Sequence, residues 1–157
     1  MVPIRPEFHE RLFPETSSQR ELFAIQRPYG NAMRKAYLSN ANTRQIRRGD
    51  VVLFYRSQSD QGLTVVGVVE GVVTSREPDE IAARVARRTV YSDDEIRSLC
   101  RRREVLSVLF RQARLIQPPI PLSVAVAEGV LSGPPQSIVK ARGGIAWLRD
   151  RVQASPS

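Results

Sequence analysis

Residues 46–73 read IRRGDVVLFYRSQSDQGLTVVGVVEGVV, and in this stretch strand pattern and turn chemistry agree at every level. Gly49-Asp50 turns the chain into a strand, Val51 to Arg56, whose alternating faces are both apolar, the pattern of a strand buried on two sides. Residues 57–62, Ser-Gln-Ser-Asp-Gln-Gly, form a polar connection, and Leu63 to Val73 follows as a long β-branched run. Together the two runs predict a hairpin at the centre of a sheet. Gly67 and Gly71 fall on one face of the second strand. At that spacing they remove side chains where a strand must bend or let another backbone close in, which predicts that the sheet curls into a small barrel.

Outward from this hairpin, 157 residues fit one domain, residues 1–157, large enough to bury roughly two thirds of its unfolded surface. The single cysteine, Cys100, has no partner for an internal disulfide, and no apolar run approaches the roughly 20 residues that cross a bilayer. The first residues, Met1 to Pro6, lack the apolar core of a secretory signal, so the expectation is a cytoplasmic protein with no membrane association. The net charge of +8 and a pI near 10.7 make polyanions, and nucleic acid first among them, the partner to consider. Lysine occurs only at 35 and 140, so 22 of the 24 basic side chains are arginine, whose planar fork suits phosphates and guanine edges.

Before the hairpin, residues 1–19 carry Pro3, Pro6 and Pro14 and read as an arm over the body, with Phe8, Leu12 and Phe13 to tie it down. Residues 21–26 are a candidate first strand. Residues 31–39 predict a helix, because Ala32, Met33, Ala36 and Tyr37 recur at helical spacing while Asn31, Arg34 and Lys35 share another face. After the hairpin, Pro78 at a first helical position and the Ser92…Glu95 capping box mark two helices, the second closed by Arg101 to Arg103. Residues 105–110 fit a helix or a buried strand; the flanking arginines and Pro118-Pro119 favour the strand. Residues 121–131 predict a short helix over one end, Gln136 to Lys140 a short strand or turn, and the segment after Gly143-Gly144 a last helix with Ile145, Leu148 and Val152 as its stripe. Trp147 lies off that stripe, and residues 154–157 are a frayed tail. The resulting fold class is α+β, a small mixed barrel with helices around its ends.

In that order, YGNAMRKAYLS, IRRGDVVLFYRS, VVGVVEGVV, RRTVYSDDEI, VLFRQARLI and GPPQSIVK resemble the PUA-like superfamily and, within it, the EVE and ASCH branch. More narrowly the chain is similar to the PUA-like domain found carboxy-terminal to a GNAT acetyltransferase domain in bacterial proteins. No acetyltransferase half is present, so the resemblance fits a free-standing version or a cut-out domain. It implies a pseudobarrel that reads RNA or DNA, with a pocket for a flipped, often modified, base. Carried onto this sequence, the pocket candidates are Tyr29, Gly30 and Asn31 from the first loop, Tyr55, Arg56 and Ser57 from the end of the 51–56 strand, and Gln136 and Ser137. The basic rim is Arg34, Lys35, Arg111, Arg114 and Lys140. Tyr29, beside Pro28 and Gly30, leads as the stacking residue, since Tyr55 alternates with Phe54 and equally fits a core position.

Enzymatic readings have little to stand on. Ser137-Ile-Val-Lys140 has the S-x-x-K spacing without its companion elements, one His and one Cys make no zinc site of usual composition, and no phosphate-binding glycine pattern occurs. Catalytic residues, metals and cofactors are therefore all expected to be none. The reading is a non-enzymatic nucleic-acid-binding module. The alternative is a regulatory or small-ligand-binding domain acting through a protein partner, such as an acetyltransferase or a toxin–antitoxin component.

Overall fold

The structure, a computed structural model, describes residues 1–16, 33–58 and 60–154, with side chains to 151. Five strands form one mixed sheet in the order β1 (Val2–Ile4), β3 (Val51–Arg56), β4 (Gly62–Ser75), β5 (Val105–Pro121), β2 (Arg34–Ser39). Of the described strand pairs only β1–β3 is parallel. Helix α1 (Pro6–Leu12) follows β1, α2 (Pro78–Val85) and α3 (Asp93–Arg102) connect β4 to β5, and α4 (Leu122–Ala127) and α5 (Gly144–Ala154) close the chain. The fold is α+β, as the residue patterns predict.

The hairpin is where the sequence places it, and β5 runs against its second strand from Val105↔Ser75 to Pro121↔Gly62. β5 continues past the prolines expected to end it, through a cis peptide at Gln117-Pro118. The sheet does not close as a hydrogen-bonded barrel: among the described residues β1 and β2 are its two edges. β2 lies against the Arg111–Leu106 part of β5, while β3 covers the stretch of β4 from Val68 to Gly62, so the two strands are staggered along the long central pair. Curling with such a stagger brings edge to edge, and the Tyr37 hydroxyl of β2 donates to the Pro3 carbonyl of β1 at 2.8 Å.

The interior of the curl is aromatic and aliphatic. Phe54 and Phe110 sit 4.8 Å apart and Phe13 packs on Phe54 at 4.9 Å, all three fully buried. Such pairs contribute about 0.5 to 1.5 kcal/mol each beyond their area. Gly67 makes room for this cluster, since a Cβ there would lie 2.7 Å from Phe110 Cδ2 and 3.3 Å from the Arg111 carbonyl. Gly67→Val is therefore expected to lower the unfolding free energy by roughly 1 to 3 kcal/mol in urea titration. At Gly71, where the nearest atom is Leu109 Cδ1 at 3.7 Å, the same measurement is expected to find alanine tolerated.

Helices α2 and α3 are as their signals predict. Pro78 opens α2, and in α3 the Ser92 hydroxyl accepts from the Glu95 amide at 3.2 Å while Glu95 accepts from the Ser92 amide at 2.8 Å. Their inner faces, Ile81, Val85, Ile96 and Cys100, pack on Ala36 and Leu38 of β2.

The helix expected over residues 31–39 is replaced, in its described part, by β2. With a period of two, Arg34 faces solvent, Lys35 and Tyr37 point one way, and Ala36 and Leu38 the other. Ala, Leu, Lys and Arg are good helix formers, but pairing with β5 overrides local propensity. The amino-terminal stretch read as an arm contributes β1 and α1, burying Val2, Ile4, His9, Leu12 and Phe13. In α5 the two described side chains of the expected stripe differ. Leu148 is buried, but Ile145 is 55% exposed, because the half-buried Trp147 takes the packing position beside Leu148 and donates its indole N–H to Glu128. The candidate strand at 21–26 lies outside the described residues.

Candidate functional site

A cleft of about 980 Å³ opens where the two sheet edges meet. Its walls come from the ends of β1 and β3, the end of β2, the outer face of α3 and the Gly-Pro-Pro-Gln-Ser turn. Each wall is fixed by a local bond. The Ser57 amide donates to the Ile4 carbonyl at 3.0 Å, joining the ends of β1 and β3. The Asn40 amide donates to the Leu99 carbonyl at 3.0 Å and to the Arg103 and Glu104 carbonyls at 3.4 Å, so β2 caps the carboxy-terminal end of α3 and brings Arg102 and Arg103 to the cleft. The Val139 amide donates to the Met1 carbonyl at 3.0 Å and holds the turn against the start of β1.

Among the described residues three tyrosines line the interior, and burial raises the pKa of each: Tyr37 to about 12, Tyr91 well above its ordinary value, Tyr55 upward. All three phenols keep their protons at neutral pH. Tyr37 donates to the Pro3 carbonyl and Tyr91 to the Leu38 carbonyl at 3.1 Å. The Tyr55 hydroxyl, on a residue with no exposure, has no hydrogen-bond partner among the described residues. Phe8 stacks on Tyr91 at 4.6 Å and 15°, making an aromatic wall, with the Arg11 guanidinium 5.2 Å from the Phe8 ring.

The mouth is positive. Glu95, the carboxylate in the lining, is held by Arg11 at 2.7 and 2.9 Å, and that bond lowers its pKa. Arg5 has only a 4.0 Å contact with exposed Glu7, and Arg102 and Arg103 have no carboxylate partner among the described residues.

Of the sequence-predicted pocket residues, Tyr55, Ser57, Gln136 and Ser137 line this one cleft. Arg56 does not; its guanidinium turns to the Asp60 carbonyl at 3.2 Å. Tyr29, Gly30 and Asn31 lie outside the described residues.

The expected rim needs correction at Lys35. Its side chain is 1% exposed, donates to the Leu12 carbonyl and pairs with Glu15 at 3.5 Å, because strand geometry sends it opposite to Arg34 and into the core. Arg34 is exposed but paired with Glu70 at 3.1 Å, beside Arg111 across the β2–β5 ladder. Arg34 and Arg111 stand at the start of β2, whereas the cleft is at its end. Arg114 and Lys140 are exposed and do not line it. Reading the sequence missed Phe8, Tyr37, Asn40, Tyr91, Arg102 and Arg103. The one available signal was the Arg101–Arg103 run at a helix end, which also fits an ordinary response to the helix dipole.

Comparison with protein-family models and with curated proteins finds no match. Among solved structures, the chain is similar to the ASCH protein from Zymomonas mobilis at 15% identity and a TM-score of 0.68, over 99% of this chain and 94% of that one. A tyrosine-to-phenylalanine mutant of that protein gives 13% identity and 0.71 over 99% and 96% of the two chains. A serine-to-alanine mutant gives 13% and 0.67 over 95% and 92%. The chain thus has the fold of the Zymomonas mobilis ASCH protein along nearly its whole length. Among the described residues no helix is long and apolar enough to cross a membrane.

Proposed function

We propose that the cleft receives one unpaired base of a nucleic acid, in the way the PUA-like resemblance implies. The observation that carries this reading is Tyr55, a residue of the lining of a cleft with a positive mouth, whose hydroxyl is buried, protonated and without a hydrogen-bond partner among the described residues. Leaving such a group unsatisfied costs roughly 1 to 3 kcal/mol, and the polar edge of a base supplies the missing partner. Ser57, Gln136 and Ser137 add further polar groups along the same walls, and the Phe8–Tyr91 pair offers apolar surface to a base. The net charge of +8 favours a polyanion over a neutral ligand.

Tyr55→Phe tests the reading. Because the hydroxyl has no partner among the described residues, the variant is expected to be as stable as the parent or slightly more stable. It should lose about 3- to 12-fold in affinity for the preferred single-stranded oligonucleotide, about 0.7 to 1.5 kcal/mol, and relax the preference among bases in fluorescence anisotropy. Unchanged affinity and preference would sink the base-pocket reading.

A second reading, a small-ligand domain acting through a protein partner, is favoured by the cleft's volume, which falls in the range of drug-sized ligand sites. It predicts weak oligonucleotide binding with no preference among RNA, DNA and duplex.

A further inference from the structure

The loop between β2 and β3, residues 40–50, begins in the cleft and leaves it. Asn40, Ala41 and Asn42 are in the lining, and the chain then carries Arg44, Arg47 and Arg48, all exposed, toward β3. Its backbone is held along its length. Ile46 packs on the core, the Arg47 amide donates to the Asp50 carboxylate at 2.8 Å, and the Gly49 amide donates to the Val69 carbonyl at 2.8 Å. Asp50, the acid of this loop, is thereby turned onto the loop's own backbone. No carboxylate among the described residues pairs with the three guanidinium groups.

Across the cleft's edge Asn40 binds the end of α3, where Arg102 and Arg103 are also without carboxylate partners. Arg102 and Arg103 thus stand in the cleft lining, and Arg44, Arg47 and Arg48 follow along the loop that leads from it to the start of β3. On the outer face of the sheet the arrangement differs: Arg34 and Arg88 share Glu70, at 3.1 Å each.

Resting on the reading of the cleft as a base pocket, we propose that the ligand is a single strand that places one base in the cleft and runs out along residues 42–48. Its phosphates are held by Arg44, Arg47 and Arg48 as well as by Arg102 and Arg103. The protein then recognises an unpaired nucleotide within a strand, and a free nucleotide binds far more weakly. An unpaired strand is required because the cleft admits a base only when its pairing edge is free.

The test is fluorescence anisotropy with a mononucleotide and with single strands of roughly 4 and 8 nucleotides, at 50 and 200 mM salt. Five phosphate contacts on a single strand give a salt slope of about −3.5, so the parent's affinity for the longest strand should fall on the order of 100-fold between those salts. The triple variant Arg44→Ala, Arg47→Ala, Arg48→Ala should fall less than about tenfold and bind the longest strand hardly better than the shorter one, while keeping the parent's base preference. The corresponding triple lysine variant should restore the slope, which separates charge from any effect on the loop's fold. A parent slope in the alanine variant, or equal affinity of the parent for mononucleotide and strand, overturns the proposed path. If instead the alanine variant loses the slope while Tyr55→Phe leaves base preference untouched, the phosphate path stands and the base pocket fails.

Discussion

Lys35→Ala is expected to lower the unfolding free energy by about 3 to 5 kcal/mol, a large share of the stability of a domain of this size. The ammonium group is enclosed. It donates to the Leu12 carbonyl, lies 5.1 Å from the centre of the Phe13 ring and pairs with Glu15, whose carboxylate also accepts from Gln112 at 2.6 Å. Burial lowers the lysine pKa despite the opposing pull of Glu15, so the pair does not fully offset its own desolvation. Truncation leaves Glu15 without its cation, adds an unsatisfied carbonyl at Leu12 and opens a void beside Phe13. Removing both charges together, as Lys35→Met with Glu15→Gln, should recover most of the loss, because the amide oxygen still accepts from Gln112. Urea unfolding of the parent and both variants measures this. A single variant within about 1 kcal/mol of the parent would show that the lysine's partners contribute little.

That lysine also marks the limit of what sequence reveals. The 46–73 hairpin, the capping box of α3 and the proline start of α2 are legible because a few neighbouring residues specify each of them. The stretch Arg34-Lys-Ala-Tyr-Leu-Ser39 is ambiguous on the same terms, since its helix formers outvote a period of two that only pairing with β5, some 70 residues later in the chain, makes decisive. Once strand replaces helix, Arg34 and Lys35 part company, one to the surface and one to the core. The cleft divides in the same way. Tyr55, Ser57, Gln136 and Ser137 end a strand or sit in a turn, places where side chains commonly face a site. Phe8, Asn40, Tyr91, Arg102 and Arg103 reach it because β2 caps α3 and α1 lies over the seam, arrangements that have no local sequence signature.

Lowering the pH from 7 to 5 should cost the parent about 2 kcal/mol of stability that a His9→Gln variant keeps. His9 has no exposed surface; its Nε2 lies 2.7 Å from Thr64 Oγ1, and its Nδ1 has no hydrogen-bond partner among the described residues. The Thr64 hydroxyl faces the Phe54 carbonyl at 3.4 Å, an arrangement that suits a neutral ring donating from Nε2. A second proton would have to sit on Nδ1, where no acceptor waits among the described residues. Burial first, then the charges of Arg56 and Lys35, accordingly hold the pKa down to about 3 from 6.5. Between those values the unfolded chain binds a proton that the folded one does not, so stability rises with pH through this window and is lost as pH falls below about 6.5, at about 1.4 kcal/mol per unit. The paired carboxylate of Glu95 works lower. Its pKa is depressed below 4.5, so its contribution is present above that value and fades only beneath it. Glutamine keeps a donor near the Nε2 position and removes the titration, and His9 is the chain's one histidine. The difference between the two proteins from pH 7 to 5 therefore isolates this ring. Parallel losses in both, followed by urea unfolding at each pH, would mean that His9 takes up its proton in the folded state as readily as in the unfolded one.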